Sequence, residues 1–366
     1  MAKAPDAGSA WTPYVAWMKR APEVTYSLMG SNLLHCQVDD LPGAREELAL
    51  DAFHEEGYPP LLEDIGGRYG MDPAGVSVAT GASGANFLVC GALLGAGDEV
   101  LVERPAYDPL LGIPRFLGAE IRRFDRVFDD GFRVDPERVA SSQTPRTRLI
   151  FLTNPHNPTG AFTPPETLLE VGKLAEGVGA KVLVDEVYLD SIHGMEVRSA
   201  ATLSPTFIST SSLTKAYGLS GLRAGWALSE PELAEKIRRV RDVVDGVGSF
   251  PSELLAHLAF RNLKALRARA RSILAPNLDR LRTFMDAQTA LEWVPPAGGS
   301  VGFPRIRGVE DASGFVITLR ERYDTGVVPG HFFEAPAHFR IALGGRAEIL
   351  EKGLDRLGQA LETELG

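Results

Sequence analysis

Two hydrophobic periods divide the chain. From about residue 76 to residue 228, short apolar runs alternate with segments of helical period. Runs of four to eight apolar residues separated by amphipathic helices predict a parallel sheet with crossover helices. The predicted strands are 76–80, 99–103, 120–124, 148–153, 181–185, 206–210 and 224–228, and the clearest helices are 85–94, 165–178 and 230–244. A long stretch rich in Ala, Leu and Arg follows at 263–290 and predicts a connector helix. Beyond it come strands at 301–306, near Val327 and at 339–343, with helices at 314–323 and 347–365. That mixture predicts a smaller α+β domain. The first 45 residues carry no strong period and read as an arm packed on the small domain or on another subunit.

Composition narrows the function classes. At 366 residues, 44% hydrophobic and 23% charged, the chain suits a soluble protein of about two domains. A net charge of -10 argues against a nucleic-acid partner, which demands a basic face. The basic stretches 236–241 and 264–271 alternate with apolar residues at helical spacing and read as solvated helix faces. Cys36 and Cys90 form no Cys-x-x-Cys pair, which fits a reducing cytoplasm, and the seven histidines show no metal-ligand spacing. Residues 1–17 lack the apolar core of a signal peptide, and no apolar stretch is long enough to span a bilayer.

The candidate chemistry lies where ligands sit in open α/β sheets, beyond the carboxyl ends of strands. Lys215 is the only charge in FISTSSLTKAYGLSGL, residues 207–222. Alone it could be a loop lysine reaching water; a desolvated amine would instead be a nucleophile able to form a Schiff base. TGASGAN at 80–86 offers backbone N–H groups and a helix N-terminus to an anion, although a tight strand-to-helix turn reads equally well. TNPHNPTG at 153–160 is a loop stiffened by two prolines and a glycine, either a structural turn or a rigid base that presents asparagines to a ligand. KVLVDEVY at 181–188 ends an apolar strand on Asp185, a helix cap or a carboxylate needing a protonated partner, with Tyr188 close behind. Ser211, Ser212, Thr214 and Arg223 surround Lys215 with groups suited to a phosphate.

Together these segments supply a phosphate cradle, a carboxylate, a phenol and an amine, the inventory that pyridoxal 5'-phosphate (PLP) requires. The chain resembles the class I/II aminotransferases, which are fold-type I PLP-dependent enzymes. Asn-Pro-x-Asn-Pro-Thr-Gly, Asp-Glu-x-Tyr and Ser-x-x-Lys occur in this order, and the resemblance runs from about Tyr58 through Arg340. It implies a large domain with a mainly parallel sheet flanked by helices, at about 46–265, and a connector helix with a small α+β domain at 266–366. Residues 1–45 would be an arm and part of the small domain.

The same resemblance implies roles. Lys215 would form the Schiff base and move protons. Asp185 would pair with the ring nitrogen, while Asn157 and Tyr188 hydrogen-bond the ring oxygen. Ala82, Ser83, Ser212 and Arg223 would hold phosphate, and Tyr107 would stack on the ring. Tyr58 would reach the phosphate of the neighbouring subunit in a homodimer with shared sites. Arg340 would bind the substrate α-carboxylate, helped by Asn157. In FRIAL, Arg340 also faces away from the apolar Phe339, Ile341 and Leu343, and Ala342 beside it leaves room for a ligand; a surface salt bridge is the alternative reading of the same pattern. The implied reaction is amino transfer from an amino acid to a 2-oxo acid in the cytoplasm. The alternative is a PLP-dependent lyase, cyclase or replacement enzyme. A ligand-sensing regulator on this fold would need a basic helical segment, and none precedes Trp11. His156, Val301 and His331 depart from the family pattern and bear on the side-chain pocket.

Overall fold

In the computed structural model of the chain, residues 12–192 and 197–365 are described. Residues 1–11, which include Trp11 and most of the stretch expected to lack a signal peptide, lie outside them. A seven-stranded sheet organises the larger part. Its strands are β1 (Val76–Thr80), β2 (Glu99–Arg104), β3 (Glu120–Asp125), β4 (Thr147–Thr153), β5 (Lys181–Asp185), β6 (Phe207–Ser212) and β7 (Ala224–Leu228). The spatial order is β1-β7-β6-β5-β4-β2-β3. All seven match predicted runs to within two residues at either end.

β7 is antiparallel to both β1 and β6, and the other pairs are parallel. The reason is local. Only an irregular loop with a single short 3-10 turn separates Ser212 from Ala224, and a parallel return needs a crossover of a dozen or more residues. That loop carries Lys215, so the antiparallel return keeps Lys215 at the same sheet edge as the ends of β4 and β5.

Helices cover both faces because both faces are apolar. Val100, Val102, Leu149, Phe151, Leu183 and Ile208 pack on one side with Val89 of the helix Gly81–Leu93 and Ile237 of Pro231–Val244. Ile150, Leu152, Val182, Val184 and Phe207 pack on the other with Leu168 and Val171 of Pro165–Val178. Such continuous apolar strands are what a doubly covered sheet requires. The helix Gly81–Leu93 starts four residues before the predicted Ala85, since Gly81, Ala82 and Gly84 carry no apolar period to read.

A second apolar cluster is built from the C-terminal part. The predicted strand 301–306 is two pieces: Val301–Gly302 pairs with Phe339–Ala342, and Arg305–Ile306 pairs with Leu291–Glu292. Phe303 and Pro304 interrupt it, and Pro has no N–H for a ladder. The stretch predicted as one helix to residue 290 ends at Ala287, and Phe250–Arg261 precedes it. Tyr26–Ser27 pairs in parallel with Thr325–Gly326, so the arm adds a strand to this part. Among the described residues no helix is long and apolar enough to cross a membrane.

Candidate active site

The carboxyl ends of β4, β5 and β6 open into a cleft of about 460 Å³, within the size range of small-molecule sites. Nine predicted residues line it: Ala82, Ser83, Tyr107, Asn157, Asp185, Tyr188, Ser212, Lys215 and Arg223. Val15, Lys19, Asn32, Thr153, Val187, Thr214 and Ser220 complete the lining.

Lys215 hangs over this cleft from the loop after β6. Its Nζ donates to Ser31 Oγ at 2.8 Å and to Asn32 Oδ1 at 2.6 Å. Burial, with the nearby Arg340 and Arg223, lowers its pKa to about 7 against a weaker opposing pull from Asp185. A large fraction of the amine is therefore uncharged at neutral pH, the form that attacks an aldehyde.

Asp185 closes β5, in register with Thr153 of β4 and Thr210 of β6. Its Oδ2 accepts from Asn86 Nδ2 at 2.8 Å and its Oδ1 from the Val187 N–H at 3.1 Å. Asn86 is fixed in turn by the Thr210 hydroxyl, which donates to its Oδ1. Burial raises the Asp185 pKa, only partly countered by these bonds and by Lys215. The carboxylate has no cation in ion-pair contact among the described residues, so a protonated ring nitrogen would suit it.

The same cleft also holds groups suited to an anion. The helix Gly81–Leu93 begins at the cleft, and its N-cap Thr80 makes no side-chain cap bond. Its first-turn N–H groups and dipole therefore favour an anion there. Arg223 lies against that helix end in a left-handed conformation, φ 51°. A Cβ on Gly81 would meet Arg223 Nη2 at 2.4 Å, and one on Gly225 would meet the Gly81 backbone at 2.3 Å. Glycine at these two positions is what lets guanidinium and helix end converge. Ser83 and Ser212 add hydroxyls.

Two further polar atoms await a partner. Tyr188 Oη and Thr214 Oγ1 are buried without one. Burial pushes the Tyr188 hydroxyl up to about 12, so it stays a donor at neutral pH. Tyr107 supplies a flat wall, and burial holds its phenol neutral as well. The cleft thus offers an amine, an acceptor for a ring N–H, donors for a ring oxygen, a stacking face and an anion cradle. These groups fit pyridoxal 5'-phosphate.

Arg340 and Tyr58 stand apart from the cleft lining. Arg340 is fully buried just behind it. Its Nη1 donates to Asn157 Oδ1 at 3.3 Å, and its Nη2 donates to Met29 O at 3.2 Å and to the Tyr14 hydroxyl. Its Nε has no partner. Phe339, Ile341 and Leu343 point the other way, into the core of the C-terminal part. Tyr58 packs against His54, Phe250 and His257, away from its own chain's cleft.

The departures from the family pattern also find places. His156 is buried, its Nε2 donating to Pro105 O at 3.0 Å and its Nδ1 accepting from the Thr159 hydroxyl at 2.7 Å. Burial and Arg126 keep it neutral, so it braces the TNPHNPTG loop from inside. Val301 is buried in the small antiparallel sheet opposite Ala342. His331 meets Ser313 at 2.9 Å and packs on Phe332, outside the cleft lining.

Several contributors were not singled out from sequence: Asn86, Ser31, Asn32, Tyr14, Val15, Lys19 and Glu103. Glu103 is fully buried with Arg126 at 2.7 Å and accepts from both the N–H and the hydroxyl of Thr153 at 2.7 Å. Thr153 Oγ1 in turn accepts from the Asn157 N–H at 3.0 Å. The pair therefore anchors the loop carrying Asn157. Glu103→Ala leaves Arg126 buried and uncompensated, and an unfolding titration is expected to show a loss of about 3–5 kcal/mol.

Comparison with known proteins bears on the same cleft. The sequence model described as Aminotransferase class I and II matches residues 10–357. The chain belongs to that family. Its members depend on pyridoxal 5'-phosphate, in agreement with the cradle and the Lys215 amine. The fold is that of PLP-dependent transferases of fold type I. Capreomycidine synthase of Streptomyces vinaceus is 30% identical over 315 residues, 83% of this chain and 79% of that protein. A PLP-dependent aminotransferase structure from Streptococcus suis 89-1591 superposes with TM-score 0.90 at 28% identity, covering 98% of each chain. A PLP-dependent cyclase, OrfR, superposes with TM-score 0.87 at 28% identity, covering 100% of each.

Proposed function

We propose that this enzyme transfers an amino group from an amino acid to a 2-oxo acid, with Lys215 as the group that moves the proton. The observation carrying the proposal is Lys215, with its pKa of about 7, in one cleft with Asp185 and Arg223, with Arg340 just behind it. Bound pyridoxal 5'-phosphate supplies an aldehyde that takes up the amino group and a ring that draws electrons from Cα. The rest is done by the chain. Arg340 and Asn157 hold the α-carboxylate and so aim the Cα–H bond at Lys215 Nζ. Lys215 takes that proton and returns it, a two-way task suited to an amine titrating near neutral pH. Asp185 would hold a proton on the ring nitrogen. Tyr188 and Asn157 would fix the ring oxygen, Tyr107 the ring face, and Ala82, Ser83, Ser212 and Arg223 the phosphate.

A second reading, cyclisation or replacement with retention of the amino nitrogen, is favoured by the full-length likeness to a cyclase and by the capreomycidine synthase match. Mass spectrometry separates the two. Incubation with an amino acid and a different 2-oxo acid yields a new amino acid and a new oxo acid under amino transfer. A product that keeps its nitrogen and gains a ring or a new substituent, or released ammonia, supports the second reading instead.

Arg340→Ala is expected to cost about 2–5 kcal/mol of transition-state binding for amino acids, a fall in kcat/KM of roughly 30-fold to several-thousand-fold, while a simple amine without a carboxylate changes little. Arg340→Lys should recover little, because an ammonium cannot form the planar fork. Unchanged amino-acid efficiency places the anchor elsewhere.

The working unit proposed is a homodimer in the cytoplasm. Leu50 and Phe53, just before Tyr58, are 80% and 67% exposed, and Val243 is 87% exposed on the helix whose Arg241 donates to Glu55 O. Such apolar exposure suits cover by a second copy. In it Tyr58 would reach the partner's phosphate cradle. Mixing a Lys215→Ala parent with a Tyr58→Phe parent is then expected to raise activity toward about a quarter of wild type, since half the re-paired dimers have one intact site. No rise on subunit exchange counts against a shared site.

A further inference from the structure

The short helix Pro13–Met18 bears on the cleft through residues that the reading above does not use. Its start is held by Asp108, which accepts from the Tyr14 N–H at 3.0 Å and directly follows the cleft residue Tyr107. Its flank is held by Tyr14, whose hydroxyl accepts from Arg340 and whose ring packs on Tyr107 at 5.8 Å and Phe333 at 5.4 Å. The helix is therefore registered against Arg340 and the stacking wall.

Val15 and Lys19 of this segment both line the cleft. Lys19 keeps helical dihedrals, φ -71° and ψ -17°, so the two residues share a face one turn apart. Five residues of helix displace Lys19 from Tyr14, and hence from the Arg340 contact, by about 7 Å along the axis. The Lys19 side chain makes no ion pair or hydrogen bond among the described residues.

The charges on the described lining are Lys19, Asp185, Lys215 and Arg223. Asp185 is buried on Asn86, and Arg223 sits at the helix N-terminus. No described carboxylate on the wall is left to receive a cationic substrate side chain, while one cation there has no assigned task. Resting on the amino-acid reading above, we infer that Lys19 is a specificity-determining residue that binds a second anionic group of the substrate, a carboxylate carried beyond Cα. With the α-carboxylate on Arg340, the two cations fix the substrate at two points. An arginine- or lysine-like side chain meets Lys19 as a like charge.

The test uses binding as well as turnover. Succinate and butyrate, of equal carbon length, are titrated calorimetrically into the PLP-loaded wild type and Lys19→Met. The wild type is expected to prefer succinate by about tenfold, and in Lys19→Met that ratio should fall toward one, with the wild-type preference weakening as salt is raised. Half-reactions with L-glutamate, L-alanine and L-arginine should rank in that order, and Lys19→Glu should move arginine ahead of glutamate. Equal binding of succinate and butyrate by the wild type, or a ratio unchanged in Lys19→Met, overturns the assignment. A succinate preference that depends on Lys19 with no amino transfer from any amino acid upholds the assignment and sinks the amino-transfer reading. Transfer from alanine without a succinate preference does the reverse.

Discussion

Lys215→Ala is expected to abolish the borohydride-fixed cofactor adduct and to reduce amino transfer by at least about 10⁴-fold. The loss combines the covalent attachment with a positioned acid and base, and general acid–base work alone is worth about 10²–10⁴. Peptide mapping after reduction of the wild type should place the adduct on Lys215. An adduct on another lysine overturns the assignment. The variant should still take up PLP through the cradle of Arg223, Ser212 and the Gly81–Leu93 helix end, which do not depend on the amine. A stopped-flow pH series on the wild-type apoenzyme adds a sharper measurement. With the amine titrating at about 7, uptake of the aldehyde should rise roughly tenfold per pH unit below that point and level off above it. An ordinary lysine would keep rising to about 10.5.

The same shift has a sign for stability. The unfolded chain holds the lysine proton up to about 10.5, whereas the folded apoprotein releases it at about 7. The unfolded state binds more protons between these values, so apoprotein stability rises with pH across that window. Below pH 7 the buried charge opposes folding in full. Lys215→Ala should therefore stabilise the apoprotein most at acid pH and least above pH 10, as read from denaturant midpoints.

Much of the cleft was legible because its residues sit at strand ends, where one-dimensional signals are strong. An apolar run ending on Asp185, a loop stiffened by Pro155 and Pro158, and a lone charge at Lys215 can each be read within ten residues. The supporting residues could not be read that way. Asn86 reaches Asp185 across 99 positions, Arg340 reaches Tyr14 across 326, and Lys215 reaches Ser31 across 184. No local pattern encodes such pairings.

The arm illustrates the same limit. The helix Pro13–Met18 is too short to show a hydrophobic period, and it is held by particular contacts to Asp108 and Arg340. The antiparallel turn of β7 was hidden for a different reason. Apolar runs specify a buried strand but not its direction, which follows from the length of the connection. Glu103 read as the last residue of a strand, and only the fold places Arg126 and Thr153 around it.

Asp185→Asn is expected to leave the fold intact and to lower amino transfer by about 10²–10³-fold or more, the range for losing one preorganised electrostatic partner in a closed site. The amide is nearly the same size, and the β5 register with Thr153 and Thr210 rests on backbone bonds. What changes is charge. A carboxylate can hold a proton on the ring nitrogen, and an amide cannot, so the electrons released at Cα lose their sink. An amide keeps one acceptor oxygen, so it can accept from the Asn86 amide or from the Val187 N–H but not from both. Two controls separate charge from packing. Asn86→Ala removes a donor but keeps the carboxylate; it should raise the Asp185 pKa further and cost activity chiefly toward acid pH, where the carboxylate is protonated first. Asp185→Glu keeps the charge and moves it by one carbon, and it should recover part of the lost rate. Near-normal turnover in Asp185→Asn, with the cofactor bound, would reduce Asp185 to a cap at the end of β5 and would remove the ring-nitrogen contact from the site.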